Sequence, residues 1–269
     1  MCWQGNAMPL WFLYPLLGAF AGLLAGLLGV GGGLIIVPVL VFVFGMQGIA
    51  DHLLVHLAVG TSLATIVLTS LSSVRAHHLH GAVLWPVFRQ LTPGIVTGAW
   101  LGAAVADLLP TVALRTFFGM FELYVAVQMT LNIKPKASQQ LPGKMTMFGV
   151  GNIIGAVSAV VGIGGGTLTV PFLVWSNVSM RKAVATSAAC GLPIAVAGSI
   201  GFIIAGMNET ALPAYSSGYV YWPAFAGIAA ASILFAPLGA KLAHRLPAAS
   251  LKRVFAILLY ILAFKMLLG

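Results

Sequence analysis

Residues 22–41 read GLLAGLLGVGGGLIIVPVLV, and residues 155–174 read GAVSAVVGIGGGTLTVPFLV. At an offset of 133 the two stretches share Gly22, Gly29, Gly31, Gly32, Gly33, Val37, Pro38, Leu40 and Val41, nine identities in 20 positions. The likeness runs on. Ala58-Val59-Gly60-Thr61-Ser62 is matched by Ala183-Val184-Ala185-Thr186-Ser187 at an offset of 125, and Gly81, Trp85 and Pro86 by Gly218, Trp222 and Pro223 at 137. Gly102-Ala103, Pro110 and Phe118 recur as Gly239-Ala240, Pro247 and Phe255. The order is kept and the offset drifts only across loops, which is the mark of an internal duplication. The chain divides into a first repeat over 1–133, a linker over 134–144 and a second repeat over 145–269.

Composition says what solvent the repeats fold in. Of 269 residues 60% are hydrophobic and 6% charged, against about 25% charged in soluble domains. Thirteen basic and four acidic side chains cannot cover a water-soluble globule of this size. Two cysteines exclude a disulfide scaffold, the apolar content excludes disorder, and scattered basic residues make no nucleic-acid patch despite the net charge of +9. No Asp, Glu, Lys or Arg precedes Asp51, and none lies between Lys144 and Arg181 or between Glu209 and Lys241. A spanning helix needs about 20 apolar residues, and continuous rather than alternating apolar runs argue against a β-barrel. The expectation is an all-α polytopic membrane protein whose solvent is the lipid bilayer. Met1–Asn6 carries no Lys or Arg, unlike a signal peptide, so the first run is expected to be a retained span. Assembly into a homo-oligomer is left open.

Each repeat holds five apolar segments: 8–29, 34–46, 54–74, 87–106 and 113–132, then 146–162, 167–176, 183–205, 221–240 and 252–268. The second and seventh are too short to cross and are expected to be half-helices. If each long-plus-short pair enters and returns at one face, Arg75, Arg89, Lys134, Lys136, Lys144, Arg181, Lys182, Lys241, Arg245, Lys252 and Arg253 share a face, and Arg115 and Lys265 lie opposite: eleven against two. If each pair is one broken span, the split is seven against six. The positive-inside rule selects the first arrangement, with both termini outside and the basic face in the cytoplasm. An odd number of crossings per repeat then makes the repeats inverted, an architecture of secondary transporters.

The two GxGGG runs, Gly29–Gly33 and Gly162–Gly166, fall where a long segment gives way to a short one. Non-helical backbone at membrane depth persists only where protein or water covers it, and a helix that starts there presents free N–H groups and a partial positive charge. Two such starts from inverted halves make a candidate anion site built from backbone. Its expected members are Gly31, Gly32, Gly33 and Leu34 in the first repeat, and Gly164, Gly165, Gly166 and Thr167 in the second. Thr61, Ser62, Thr186 and Ser187, about one turn into long helices, are candidate hydroxyl donors, with a back-bond or interhelical bond as the other reading. No Lys-Ser/Thr follows the glycines, so neither run is a P-loop. Gly18, Gly22, Gly26, Gly151, Gly155 and Ala159 form small-residue packing rows, and Pro38 and Pro171 are expected to kink or end the short helices.

The paired G-x-G-G-G-x-x-x-x-P-x-L runs at 29–40 and 162–173, with A-V-x-T-S at 58–62 and 183–187, resemble the sulfite exporter TauE/SafE family of membrane permeases. The resemblance covers most of the chain. It implies transport of a small sulfur-containing anion, such as sulfite or a sulfonate like sulfoacetate, across a bacterial inner membrane. The residues themselves point only to an anion.

Glu122, near the middle of segment 113–132, is the one acidic residue inside a span and a candidate for proton coupling; the other reading is an ion pair with Arg115, two turns earlier. His52 and His56 are placed beside an outer loop, and His77, His78 and His80 in a solvated cytoplasmic one, with no spacing that makes a structural metal site. Cys190 is expected to pack, and Asn152 and Gln128 to join helices. No cofactor, metal or catalytic constellation is expected. The function read from these features is alternating-access transport of a small anion, with an anion channel or an intramembrane enzyme as alternatives.

Overall fold

The structure, a computed structural model, describes residues 9–28, 32–131, 141–243 and 248–268. Among them are ten α-helices. The first repeat gives α1 (Leu13–Leu28), α2 (Gly33–Met46), α3 (Leu54–Leu79), α4 (Trp85–Leu108) and α5 (Thr111–Thr130). The second gives α6 (Lys144–Val161), α7 (Gly166–Trp175), α8 (Met180–Ala205), α9 (Trp222–Ala243) and α10 (Ala248–Leu268). A small antiparallel hairpin, β1 (Ser216–Ser217) and β2 (Val220–Tyr221), lies between α8 and α9. The fold is all-α and polytopic. Among the described residues the helical stretches Asp51–Leu79, Trp85–Leu108, Thr111–Thr130, Lys144–Val161 and Met180–Asn208 are long and apolar enough to cross a membrane.

The short helices are short as expected. α2 has 14 residues and α7 has 10, about 21 and 15 Å at 1.5 Å per residue, against a hydrocarbon core of about 30 Å. Of the two expected outcomes, a kink or an end, neither proline gives the end. Pro38 and Pro171 are each the sixth residue of a helix that continues to Met46 and Trp175. Each proline forfeits one backbone bond, and the N–H groups beyond it still reach carbonyls one turn back.

Packing repeats the duplication. α1 lies against α9 and α4 against α6; α3 packs on α8 and α5 on α10; α2 packs on α3 and α7 on α8. Exchanging α1–α5 for α6–α10 turns α1–α9 into α4–α6 and α2–α3 into α7–α8, and returns α3–α8 and α5–α10 to themselves. The closest pairs meet through small residues. Gly18 and Gly22 face the backbone of Ile228 and Ser232, while Gly94, Gly98 and Gly102 face Phe148, Asn152 and Ala156. Equal steps of four on both partners make these pairs parallel. Close approach lets polar groups cross: Ser232 donates to the Gly18 carbonyl at 2.9 Å, and the Asn152 amide donates to Thr97 Oγ1 at 3.0 Å. The small-residue rows and the joining role of Asn152 are as the sequence implied.

Side-chain contacts show which helix ends lie together. The Tyr14 hydroxyl donates to Gln47 Oε1 at 2.8 Å, setting the start of α1 beside the end of α2. The rings of Tyr14 and Phe44 both meet Tyr221 edge-on, at centroid distances of 6.2 and 5.8 Å. Lys265, near the end of α10, lies 3.5 Å over the Phe42 ring. Elsewhere the N–H of Leu84 donates to Thr186 Oγ1, and Gly94 packs on Phe148, so the starts of α4, α6 and α8 lie together.

Because a Cβ at Gly98 meets the Asn152 backbone, while one at Gly149 meets nothing within 4 Å, alanine at the two positions should act oppositely. Gly98→Ala is expected to cost about 1–3 kcal/mol. Gly149→Ala is expected to be neutral or stabilising by about 0.5–1 kcal/mol. Unfolding of the purified variants in detergent measures both, and equal effects would contradict the close α4–α6 contact.

Candidate functional site

Gly31 lies outside the described residues, together with Gly29 and Val30. The second break is described throughout. α6 ends at Gly162, whose φ of +75° is left-handed; Gly165, with φ of +73°, immediately precedes α7. Two left-handed turns within four residues require glycine at both places. The turn at Gly162 returns N–H groups to α6: Gly162 donates to Ala159 O at 3.2 Å and Ile163 to Ser158 O at 3.0 Å. The Gly165 carbonyl accepts from Leu168 and Thr169 at 3.2 and 2.8 Å. The N–H groups of Gly164, Gly165, Gly166 and Thr167 find no acceptor among the described residues.

The first repeat meets this break from its other side. Gly33, the first residue of α2, packs on the Gly162 carbonyl and on Ile163. The Gly32 carbonyl accepts from Ile35 and Ile36 at 3.0 and 2.9 Å, and Leu34 is wholly buried. The start of α2 and the end of α6 therefore occupy one place. Ser62 is tied into it, since its buried hydroxyl donates to the Gly162 carbonyl at 2.9 Å.

The repeated threonines do one job twice. Thr61 Oγ1 accepts the N–H of Tyr221, and Thr186 Oγ1 accepts the N–H of Leu84, each at 3.0 Å. Leu84 and Tyr221 are equivalent across the repeats, each preceding a Trp-Pro pair. Each threonine, two turns into its helix rather than one, therefore holds the start of α4 or α9 with its acceptor. Ser187 is 2% exposed, and its hydroxyl has no partner among the described residues.

Two hydroxyls absent from the sequence expectation flank the break. Ser158 on α6 and Thr169 on α7 are both fully buried and without hydrogen-bond partners among the described residues. Each oxygen lies 3.5 Å from the point where a Gly165 Cβ would sit. The buried Thr167 hydroxyl is likewise unpartnered. The duplication hides Ser158 and Thr169, because at an offset of 133 they align with Ala25 and Ile36, whereas Thr167 is among the expected members. The one available signal was the T-x-T of Thr167-Leu168-Thr169 directly after the glycines.

Glu122 is fully buried, and neither carboxylate oxygen has a partner among the described residues. The alternative ion pair with Arg115 is not formed: seven residues separate the two by about 10 Å along the helix, and Arg115 Nε is itself unpartnered. His56, the third residue of α3, borders the connection from α2 as expected, but its side chain is buried. Its Nε2–H donates to the Ala106 carbonyl at 2.9 Å, and its ring lies 5.1 Å from that of Tyr219, whose hydroxyl donates to Asp107 at 3.0 Å. His78 and His80 are engaged by Trp85 and by the Ala76 carbonyl. Among the described residues no three His, Cys, Asp or Glu side chains group as metal ligands.

Comparison with known proteins follows the same outline. The family model described as sulfite exporter TauE/SafE matches residues 14–266. A protein of Haemophilus influenzae named as a probable membrane transporter protein is 38% identical over 255 residues, covering 94% of this chain and 96% of its own. A probable membrane transporter protein of Methanocaldococcus jannaschii is 29% identical over 95% of this chain and 96% of its own, and one of Xylella fastidiosa strain Temecula1 is 29% identical over 91% and 90%. No solved structure matches significantly.

Thr61→Val leaves the buried Tyr221 N–H without an acceptor and is expected to cost about 1–3 kcal/mol, whereas Thr61→Ser keeps the acceptor and should stay near the parent. Thr186→Val should reproduce the loss through Leu84. Thermal unfolding in detergent reads all three, and equal stability of the valine and serine variants would remove the proposed tie.

Proposed function

Because the chain belongs to the sulfite exporter TauE/SafE family, we propose that it is a secondary transporter of a small sulfur oxyanion or organosulfonate. It works by alternating access in a bacterial inner membrane, without catalysis. The observation that carries this reading is the set of unused N–H donors at Gly164–Thr167, where α7 starts against the point at which the two repeats meet. Anion oxygens are received there, with the Thr167 and Ser187 hydroxyls as further donors and the Gly32–Leu34 segment beside them from the first repeat.

The repeats stand inverted across the membrane in this reading, with both termini outside. The Tyr14–Gln47 bond supports a return of α1–α2 to the end it entered from. The shared location of the starts of α4, α6 and α8 supports the same for α6–α7 at the other end. The eleven-to-two division of basic residues supports a cytoplasmic location for that second end. An open cleft of about 470 Å³ lies beside the starts of α4 and α6, lined by Arg89 and Lys144 among others; it offers an anion a cationic approach. Glu122, a buried carboxyl without a hydrogen-bond partner among the described residues, exchanges a proton during the cycle in this reading.

Proteoliposomes loaded in turn with sulfite, sulfate, sulfoacetate, thiosulfate and chloride, with and without a pH gradient, test this. Saturable flux of at least one sulfur oxyanion or sulfonate is expected, and its absence under every condition would end the transport reading. With a substrate in hand, Glu122→Gln should abolish the stimulation by a pH gradient while leaving exchange of anion for anion. Unchanged stimulation would take Glu122 out of coupling.

A further inference from the structure

We infer that the start of α7 is a cradle for a monovalent oxyanion, completed by the hydroxyls of Ser158 and Thr169, and that it discriminates against dianions. This rests on the reading of the α7 start as a substrate site and names its further residues and ligand class. Inside a membrane protein, a buried serine or threonine ordinarily spends its proton on a carbonyl of its own helix or of a neighbour. Ser62, Thr65, Ser199 and Ser232 all do so here. Ser158 and Thr169 do not, although both are wholly buried. Their oxygens approach the Gly165 backbone from α6 and α7, each 3.5 Å from the point where its Cβ would sit; Ile194 Cδ1 lies closer still and fills that point, so a ligand enters as the flexible end of Ile194 rotates aside. The free N–H groups of Gly164–Thr167 lie on that stretch of chain. Two donor hydroxyls and a row of backbone donors in one buried place bind an anion by several oxygens at once.

The ligand's charge follows from what surrounds the cradle. It is enclosed by α3, α6, α7 and α8. α3 carries no charged residue between His56 and Arg75, α6 and α7 none between Lys144 and Arg181, and α8 none after Lys182. Cys190 is the only titratable side chain on these stretches. No fixed cation is therefore available to compensate the ligand. The cost of moving an ion out of water grows as the square of its charge in the Born description, while a neutral cradle returns attraction only in proportion to charge. A dianion loses fourfold more solvation for twofold more attraction. Sulfonates, hydrogen sulfite and similar singly charged oxyanions fit; sulfate and the sulfite dianion are disfavoured.

The full-length protein, purified in detergent, is titrated with methanesulfonate, sulfite and sulfate, with the rise in unfolding temperature as the measure of binding. Methanesulfonate should bind with a Kd independent of pH. The apparent Kd of sulfite, per total sulfite, should rise as pH carries it from monoanion to dianion, and sulfate should bind at least roughly tenfold more weakly. Ser158→Ala and Thr169→Val should each weaken methanesulfonate binding roughly tenfold, the loss of one hydrogen bond to a charged ligand. Thr169→Ser should keep binding, and Ser199→Ala, on a hydroxyl bonded to its own helix, should leave it unchanged. Sulfate binding as tight as methanesulfonate, no binding by any monoanion, or wild-type affinity in both Ser158→Ala and Thr169→Val would overturn the inference. Binding that depends on Ser158 and Thr169 without flux of any anion in proteoliposomes would sink the transport reading and leave the cradle standing. Flux that ignores both hydroxyls would do the reverse.

Discussion

Backbone N–H and C=O groups released by a break in a helix must find partners at a depth where no bulk water is available. The second break meets that demand from across the duplication. The carbonyl of Gly162 is taken by the hydroxyl of Ser62, a residue of the first repeat one hundred positions away. Gly33 packs on the same carbonyl. The starts of α4 and α9 are held in a comparable way, by Thr186 and Thr61 of opposite repeats. Polar satisfaction thus links the halves at these points, alongside Asn152–Thr97, Tyr219–Asp107 and Ser232–Gly18, and fixes where α2 and α7 begin. Because those beginnings are fixed, the N–H groups left over at Gly164–Thr167 form a defined surface.

The halves are equivalent in helix order and in packing, but not in chemistry. Ser158, Thr167 and Thr169 stand where the first repeat has Ala25, Leu34 and Ile36. The break after α6 is consequently lined by hydroxyls, and the α2 start by Leu34 and Ile36, both buried among apolar neighbours. In the proposed sulfonate reading, donors from one half and hydrocarbon from the other match a ligand with three oxygens at one end and a carbon at the other.

The fold was legible because glycine and hydrophobic length carry it. Gly162 and Gly165 adopt left-handed turns that few other residues tolerate, and a 10-residue apolar run cannot cross a membrane whatever its neighbours do. The glycine rows on α1 and α6 likewise announced their packing, since only small residues let two backbones touch. The site was less legible for a reason of the same kind. Hydroxyl side chains have no period and no length requirement, and their use depends on which acceptor lies across the interface. Thr61 and Thr186 recur at equivalent places because they hold helix starts, a structural demand that both halves share. Ser158 and Thr169 do not recur, so the duplication gives no sign of them. His56 reads as a loop neighbour in sequence and becomes buried once Ala106 and Tyr219 close over it.

The absence of charge from the helices around Gly164 bears on turnover as well as on selectivity. An arginine or lysine at that depth would bind an anion more tightly, and each added 1.4 kcal/mol of binding slows release about tenfold when the on-rate is unchanged. It would also leave a buried, uncompensated cation once the anion departed, a state costing several kcal/mol. Backbone donors and hydroxyls leave no net charge behind when they are emptied, so the loaded and empty forms differ less in energy. A carrier must pass through both forms in every cycle. The charge it needs for orientation in the membrane can then reside at the helix ends, where Arg89, Lys144, Arg181 and Lys182 already lie, without entering the site at all.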